Sequence, residues 1–241
     1  MSSKIGLKLT RNYSFNFSLL KRNKDSIKFI IIHYTGMKKQ SEAIKRLTDS
    51  ESKVSSHYFI KNEGKILKLV PDLYEAWHAG KSGWKNFKSL NKYSIGIEIN
   101  NPGHDHNYKR FNKKQILSLV KLIGYLKNKY AIKKDNILGH SDISPDRKKD
   151  PGEKFPWREL AKKNLCTWHD LNDKNLKKFR KLKLKDEKIF FKNLFNLGYS
   201  KIYKNSKKDL ILAFQRRFRQ DLINGKTDEE CLLISQNLLK S

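Results

Sequence analysis

The chain has 241 residues, 37% of them hydrophobic and 11% aromatic, and 53 lysines and arginines against 24 acidic residues give a formal net charge of +29. That content supports one packed domain of ordinary size with a smaller second one and excludes wholesale disorder. The most apolar run, Phe29 to Ile32, is far too short for a membrane span, and no continuous apolar segment of the secretory kind follows Met1.

In chain order, residues 27–33 (IKFIIIH) read as a buried strand: short, apolar and β-branched. Gly36 permits a turn after it. Residues 41–49 carry helical periodicity, with Ala43, Ile44 and Leu47 on one side. Two strands follow, His57 to Ile60 and Ile66 to Val70, joined by the hairpin chemistry of Lys61-Asn62-Glu63-Gly64. Residues 71–93 read as a long irregular loop, a feature that is usually functional in a compact domain. Ser94 to Ile99 is another apolar strand, interrupted by Gly96. The clearest helix spans about 112–130, with Asn112 as N-cap and Gln115 at the capping-box position. A short strand near Asn136 to Leu138 leads into Gly139-His140. Strands alternating with helices point to an α/β domain with a mixed central sheet flanked by helices.

Composition shifts after Leu165. Residues 172–188 are mostly Lys, Asn and Asp and read as a solvated linker. Helical stretches at about 187–197, 207–219 and 228–239 then suggest a small three-helix domain. The expected division is 1–165 for the main domain, 166–184 for a basic linker and 185–241 for the helical domain. Cys166 and Cys231 fit no disulfide or metal spacing and read as free thiols, Cys231 on an apolar helix face.

Two imidazoles and a carboxylate stand at defined positions: His33 at the end of a buried strand, His140 after another, and Asp150 in Asp150-Pro151-Gly152. Such a set suits Zn²⁺ and leaves a fourth position for water. Spacing alone is weak, since there is no HExxH and no cysteine cluster. A strand-end histidine is more often a satisfied polar residue than a ligand.

Four motifs sharpen the reading. His33-Tyr34-Thr35, Ala76-Trp77-His78-Ala79-Gly80, Ser94-Ile95-Gly96-Ile97-Glu98-Ile99, and the stretch from Gly139-His140-Ser141-Asp142 through Arg147-Lys148-Lys149-Asp150-Pro151-Gly152 occur in that order. Together they resemble the zinc N-acetylmuramoyl-L-alanine amidases of the AmpD/AmiD type, relatives of the peptidoglycan recognition proteins, over about residues 12–160. The resemblance implies hydrolysis of the amide between N-acetylmuramic acid, or its 1,6-anhydro form, and L-alanine, in wall turnover or recycling. It places the zinc ligands on His33, His140 and Asp150, the acidic catalytic residue on Glu98 and the catalytic lysine on Lys148. Burial of Glu98 in an apolar strand would raise its pKa toward a value useful for a general base. In isolation Glu98 reads more readily as a strand-edge surface carboxylate, and Lys148 as one more solvated cation.

The resemblance also implies substrate contacts from Asn16 and Arg22 in the N-terminal segment, and from Tyr34, His57, Trp77, His78 and Asn91. A tryptophan and a histidine in a loop equally suit packing on the sheet, and His57 suits a structural hydrogen bond at least as well as a substrate contact. His104 and His106 read as exposed loop histidines, and His169 has no assigned role. The stretch Ala213-Phe214-Gln215-Arg216-Arg217-Phe218, with Asp221 to Asp228, resembles the three-helix peptidoglycan-binding module often attached to these amidases. Core packing explains Phe214 and Phe218 without a ligand.

The expected partners are peptidoglycan fragments or intact peptidoglycan, with no specific nucleic acid, no membrane span and a monomeric chain. The charge favours polyanions, but lysine is spread along the whole chain and reads first as surface filling. A nucleic-acid binder lacks a recognition helix or an aromatic-basic motif here. A non-catalytic recognition module is the alternative to an enzyme, and the presence of all three ligands and both catalytic positions argues against it. A cytoplasmic location is expected, with the periplasm or cell envelope as the alternative.

Overall fold

The computed structural model describes residues 9–200 and 206–240; the reading of the first residues as lacking a secretory segment falls largely outside them. The strands are β1 (Leu9–Arg11), β2 (Phe17–Ser18), β3 (Phe29–Tyr34), β4 (Tyr58–Ile60), β5 (Ile66–Lys68), β6 (Glu75–Ala76), β7 (Gly83–Trp84), β8 (Phe87–Lys88), β9 (Ser94–Ile99) and β10 (Ile137–Gly139). The α-helices are α1 (Gln40–Thr48), α2 (Lys113–Tyr130), α3 (His140–Ile143), α4 (Trp157–Lys162), α5 (Asp173–Leu176), α6 (Glu187–Leu197), α7 (Lys207–Phe218) and α8 (Glu229–Leu238).

The mixed sheet expected from the sequence is present, with six strands in the order β1-β5-β4-β9-β3-β10. Only the β4–β5 pairing is antiparallel. The central strands β3 and β9 are covered on both faces, which explains their nearly continuous apolar runs. One face carries Ile30, Ile32, Ile95, Ile97 and Ile99 against Leu119, Leu122, Ile123 and Leu126 of α2. Helix α2 starts at the predicted capping box, with Asn112 Oδ1 accepting from Gln115 N and Gln115 Oε1 accepting from Asn112 N.

The opposite face divides in two. Ala43 and Leu47 of α1 cover Phe59 and Leu67. Phe29, Ile31, Leu138 and Ile143 pack with Phe190, Leu194, Phe214 and Ile234 of the C-terminal helices in one continuous core. The three predicted helices are present, and they bury their shared apolar face on the sheet as well as on one another. Arg217 of α7 reaches Asp142 of α3 in a fully buried ion pair and also donates to the carbonyl of Ile137.

The segment 172–188 is mostly exposed, in keeping with its composition, but Leu176 and Leu184 are buried against the C-terminal helices and Arg180 bridges Glu230 and Asp221. These anchors are not revealed by a count of lysines. One sequence expectation changes: the 71–93 segment is not structureless, since β6, β7 and β8 form two small antiparallel ribbons with β2 and with each other. Cys166 and Cys231 are free and buried. Among the described residues no helix is long and apolar enough to cross a membrane.

Candidate metal centre and active-site cleft

Side chains alternate along a strand. In β3, Phe29, Ile31 and His33 therefore share one face. In β9, Ser94, Gly96 and Glu98 share that same face, because the two strands are parallel with His33 opposite Glu98. His140 begins α3 directly after β10, which also runs parallel to β3. Three neighbouring strands thus deliver His33, Glu98 and His140 at their carboxyl ends, where α/β sheets place ligands. The loop after α3 returns to the same point because Ser141 N donates to the carbonyl of Asp150 at 2.9 Å.

The result is a compact triad. His33 Nδ1 lies 3.0 Å from His140 Nδ1 and 3.0 Å from Asp150 Oδ2, and His140 Nδ1 lies 3.1 Å from Asp150 Oδ2. All three residues are buried, and they are the one group of this kind among the described residues. His140 Nε2 sits 3.1 Å from the carbonyl of Ala79, which can only accept, so the imidazole proton is there and Nδ1 presents a lone pair. Burial foremost, with His140 beside it, pushes His33 down to about 4, so it is neutral near pH 7. Burial alone would raise Asp150, but His140 and His33 outweigh it and hold the carboxylate well below its usual range. Two imidazoles and one carboxylate with converging ligand atoms fit a divalent cation. Their spacing is close to the roughly 3.3 Å edge of a tetrahedron with 2.0–2.1 Å bonds.

Glu98 stands beside the triad. Its Oε2 is buried without a hydrogen-bond partner. Burial first, then Asp150, raises its pKa to about 8, while Lys148 opposes. The desolvation expected from the strand sequence is present. Lys148 is half-buried and lines the cleft, whereas Arg147 is tied to the carbonyls of Ala79 and Lys81. The two cations look alike in sequence, and their surroundings separate them.

The cleft has a volume of about 630 Å³, within the usual range for small-ligand sites. Its floor is the triad and Glu98. Arg46, Arg147, Lys148 and Lys149 make much of the wall basic. Of the seven residues expected to touch substrate, Tyr34, Trp77 and His78 line it. Burial, then Asp150, pushes the Tyr34 phenol up to about 12, so it is a neutral hydroxyl. Trp77 already donates its indole N–H to Ser18 Oγ at 3.3 Å.

The other four do not line the cleft, because the protein consumes their polar atoms. Asn16 donates to the carbonyls of Asp49 and Val54. Arg22 donates to the carbonyls of Asn91, Ser94 and Asp72. His57 is fully buried, accepts from Gly96 N through Nδ1 and faces the Tyr74 carbonyl with Nε2. Burial, then Arg22, pushes it down to about 3. Asn91 Oδ1 accepts from His78 N and Ala79 N, bracing the segment that carries His78.

His104 differs from the exposed loop histidine expected. Its Nε2 meets Glu153 Oε2 at 3.0 Å and its Nδ1 meets the Tyr34 hydroxyl at 2.8 Å. His169 is buried, with its ring stacked on Trp168. Sequence reasoning missed the contributions of Arg46 and Lys149 to the wall, since solvated and cleft-lining cations share one pattern. It also missed the seating of His78 against β9, for which Gly96 was the available signal, because a glycine inside a buried strand often marks a close approach.

At the carboxyl ends of its parallel strands the mixed sheet thus gathers a triad that could hold a metal ion and, beside it, a carboxyl with a buried and unpartnered Oε2, the kind of site a metal-assisted hydrolase uses. Residues 23–153 match the N-acetylmuramoyl-L-alanine amidase family. The chain is 34% identical over 231 residues to the N-acetylmuramoyl-L-alanine amidase AmiD of Escherichia coli K12, covering 89% of this chain and 83% of that protein. It is 39% identical over 108 residues to the 1,6-anhydro-N-acetylmuramyl-L-alanine amidase AmpD of Haemophilus influenzae, covering 44% of this chain and 56% of that one. The structure of Escherichia coli AmiD complexed with the substrate anhydro-N-acetylmuramic acid-L-Ala-D-γ-Glu-L-Lys superposes with a TM-score of 0.80 at 33% identity, over 92% of this chain and 91% of that one. The chain belongs to the N-acetylmuramoyl-L-alanine amidase family and is an enzyme of that activity.

Proposed function

We propose that this amidase uses Zn²⁺ held by His33, His140 and Asp150 to hydrolyse anhydromuropeptides at the lactyl–L-alanine amide. The observation that carries the reading is the register pairing of His33 with Glu98, which sets an unpartnered carboxyl beside the triad. Bound zinc supplies a Lewis acid and lowers the pKa of its water to about 7.

The remaining steps belong to the chain's own groups. Glu98 receives the proton of the attacking water at Oε2. It then delivers that proton to the nitrogen of the departing L-alanine, so acid and amine leave and the carboxylate is restored. The Lys148 ammonium, on the cleft wall, stabilises negative charge as it grows on the carbonyl oxygen. The basic wall suits the free carboxylates of a stem peptide containing γ-linked glutamate. Tyr34 and Trp77 offer a hydroxyl and an aromatic face to the sugar-peptide. The family likeness and the AmiD complex support this substrate class.

Incubation with anhydro-N-acetylmuramic acid-L-Ala-D-γ-Glu-L-Lys, followed by mass spectrometry, tests the reading. The expected products are the free sugar acid and a tripeptide with a new L-alanine amino terminus. Cleavage at L-Ala–D-Glu, or none at all beside active turnover of intact sacculi, would remove the assignment.

A further inference from the structure

The triad's second histidine has a tautomer that the surrounding hydrogen bonds determine. Ser94 Oγ lies 2.6 Å from the carbonyl of Leu90 and 3.2 Å from His78 Nε2. A carbonyl only accepts, so the single hydroxyl proton of Ser94 goes to Leu90. Toward His78, Ser94 can then only accept, and His78 carries its proton on Nε2. A neutral imidazole has one N–H, so His78 Nδ1 is an acceptor. That atom lies 3.0 Å from His33 Nε2. His33 therefore donates from Nε2, and its Nδ1 presents a lone pair toward His140 and Asp150.

Packing fixes the relay. Asn91 holds the backbone at His78 and Ala79. The His78 ring rests on Gly96, where an added Cβ would fall 2.5 Å from His78 Cγ. Only glycine allows that approach, which explains the break in an otherwise apolar strand.

We propose that His78, seated on Gly96 and oriented by Ser94, is a positioning residue that fixes His33 in the tautomer that offers Nδ1 to the metal. The inference rests on His33 as a metal ligand, and it moves His78 from the substrate wall to the support of the metal centre. Groups that orient a metal-bound histidine typically change affinity by about 10–100-fold when removed.

The test is the Zn²⁺ dissociation constant of the whole chain, measured by competition with a chelator of known affinity. His78→Leu and Gly96→Ala should each weaken Zn²⁺ by about 10–100-fold. His78→Asn, whose amide oxygen can accept from His33 Nε2, should recover most of the affinity. Thermal unfolding of the metal-free variants checks that the fold persists. Unchanged affinity in His78→Leu, with His33→Ala losing metal, would overturn the relay alone. Unchanged affinity in His33→Ala would overturn the ligand assignment itself. Should the leucine variant not fold, nitrogen-15 spectra of the metal-free parent decide: His33 protonated on Nε2 supports the relay, and on Nδ1 rejects it.

Discussion

Glu98→Gln is expected to lower turnover by about 10²–10⁴-fold, the usual contribution of a positioned acid–base group, while the protein keeps its metal. The amide has the shape of the carboxyl but cannot take a proton from water and return it. Because Glu98 stands beside the three proposed ligand atoms and is not one of them, metal content should match the parent. Equal rates in parent and variant would place the proton transfer elsewhere.

The same substitution should act in the opposite direction on stability. The folded-state pKa of Glu98 is about 8, above the ordinary value of 4.5, chiefly through burial. Between those values the folded chain holds a proton that the unfolded chain has released. Stability is therefore fully present below about pH 4.5 and is lost as pH rises through 8. Glutamine does not titrate, so metal-free Glu98→Gln should become more stable than the parent as pH rises, by on the order of 2–4 kcal/mol. Denaturant titrations at pH 5 and pH 8.5 check the sign. A gap that shrinks toward pH 8.5 would contradict the burial of this carboxyl.

Arg217→Met should destabilise the whole chain by about 3–5 kcal/mol, the usual cost of leaving one buried charge without its partner. Asp142 holds three groups together: it accepts from Gly139 N at 2.7 Å through Oδ2, from Tyr199 OH at 3.2 Å through Oδ1, and from Arg217. The Arg217 guanidinium also stacks 4.3 Å above the Trp157 ring. Loss of Arg217 leaves Asp142 with two donors in a site closed to water. The expected result is one cooperative transition at a lower denaturant midpoint, since the C-terminal helices share a core with Phe29, Ile31 and Leu138. Two separate transitions, with the amidase part unmoved, would show that the helices contribute nothing to its stability.

Much of this molecule is legible in its sequence because the deciding signals are local. Residues 27–33 read as a buried strand from a short, apolar, β-branched run, and β3 occupies Phe29–Tyr34. The Asn112–Gln115 capping box announces α2. The burial of Glu98 is legible only once the surrounding motifs single it out, since a lone strand carboxylate reads as a surface group. The rest depends on contacts between segments. Asn16, Arg22, His57 and Asn91 are polar residues near the motifs, and nothing local shows that backbone carbonyls and amides occupy them. The amphipathic faces of α6–α8 look the same whether they bury one another or the sheet. The relay from Ser94 through His78 to His33 spans three segments and exists only because Gly96 lets them meet.

The most direct measurement is amidase activity against metal content in one preparation, as parent and as Asp150→Ala. The purified parent should hold about one zinc per chain. Stripping the metal with a chelator should abolish release of the stem peptide, and added Zn²⁺ should restore it. Asp150→Ala should neither retain zinc nor recover. Full activity in the metal-free parent, or undiminished zinc in Asp150→Ala, would contradict a catalytic metal held by His33, His140 and Asp150.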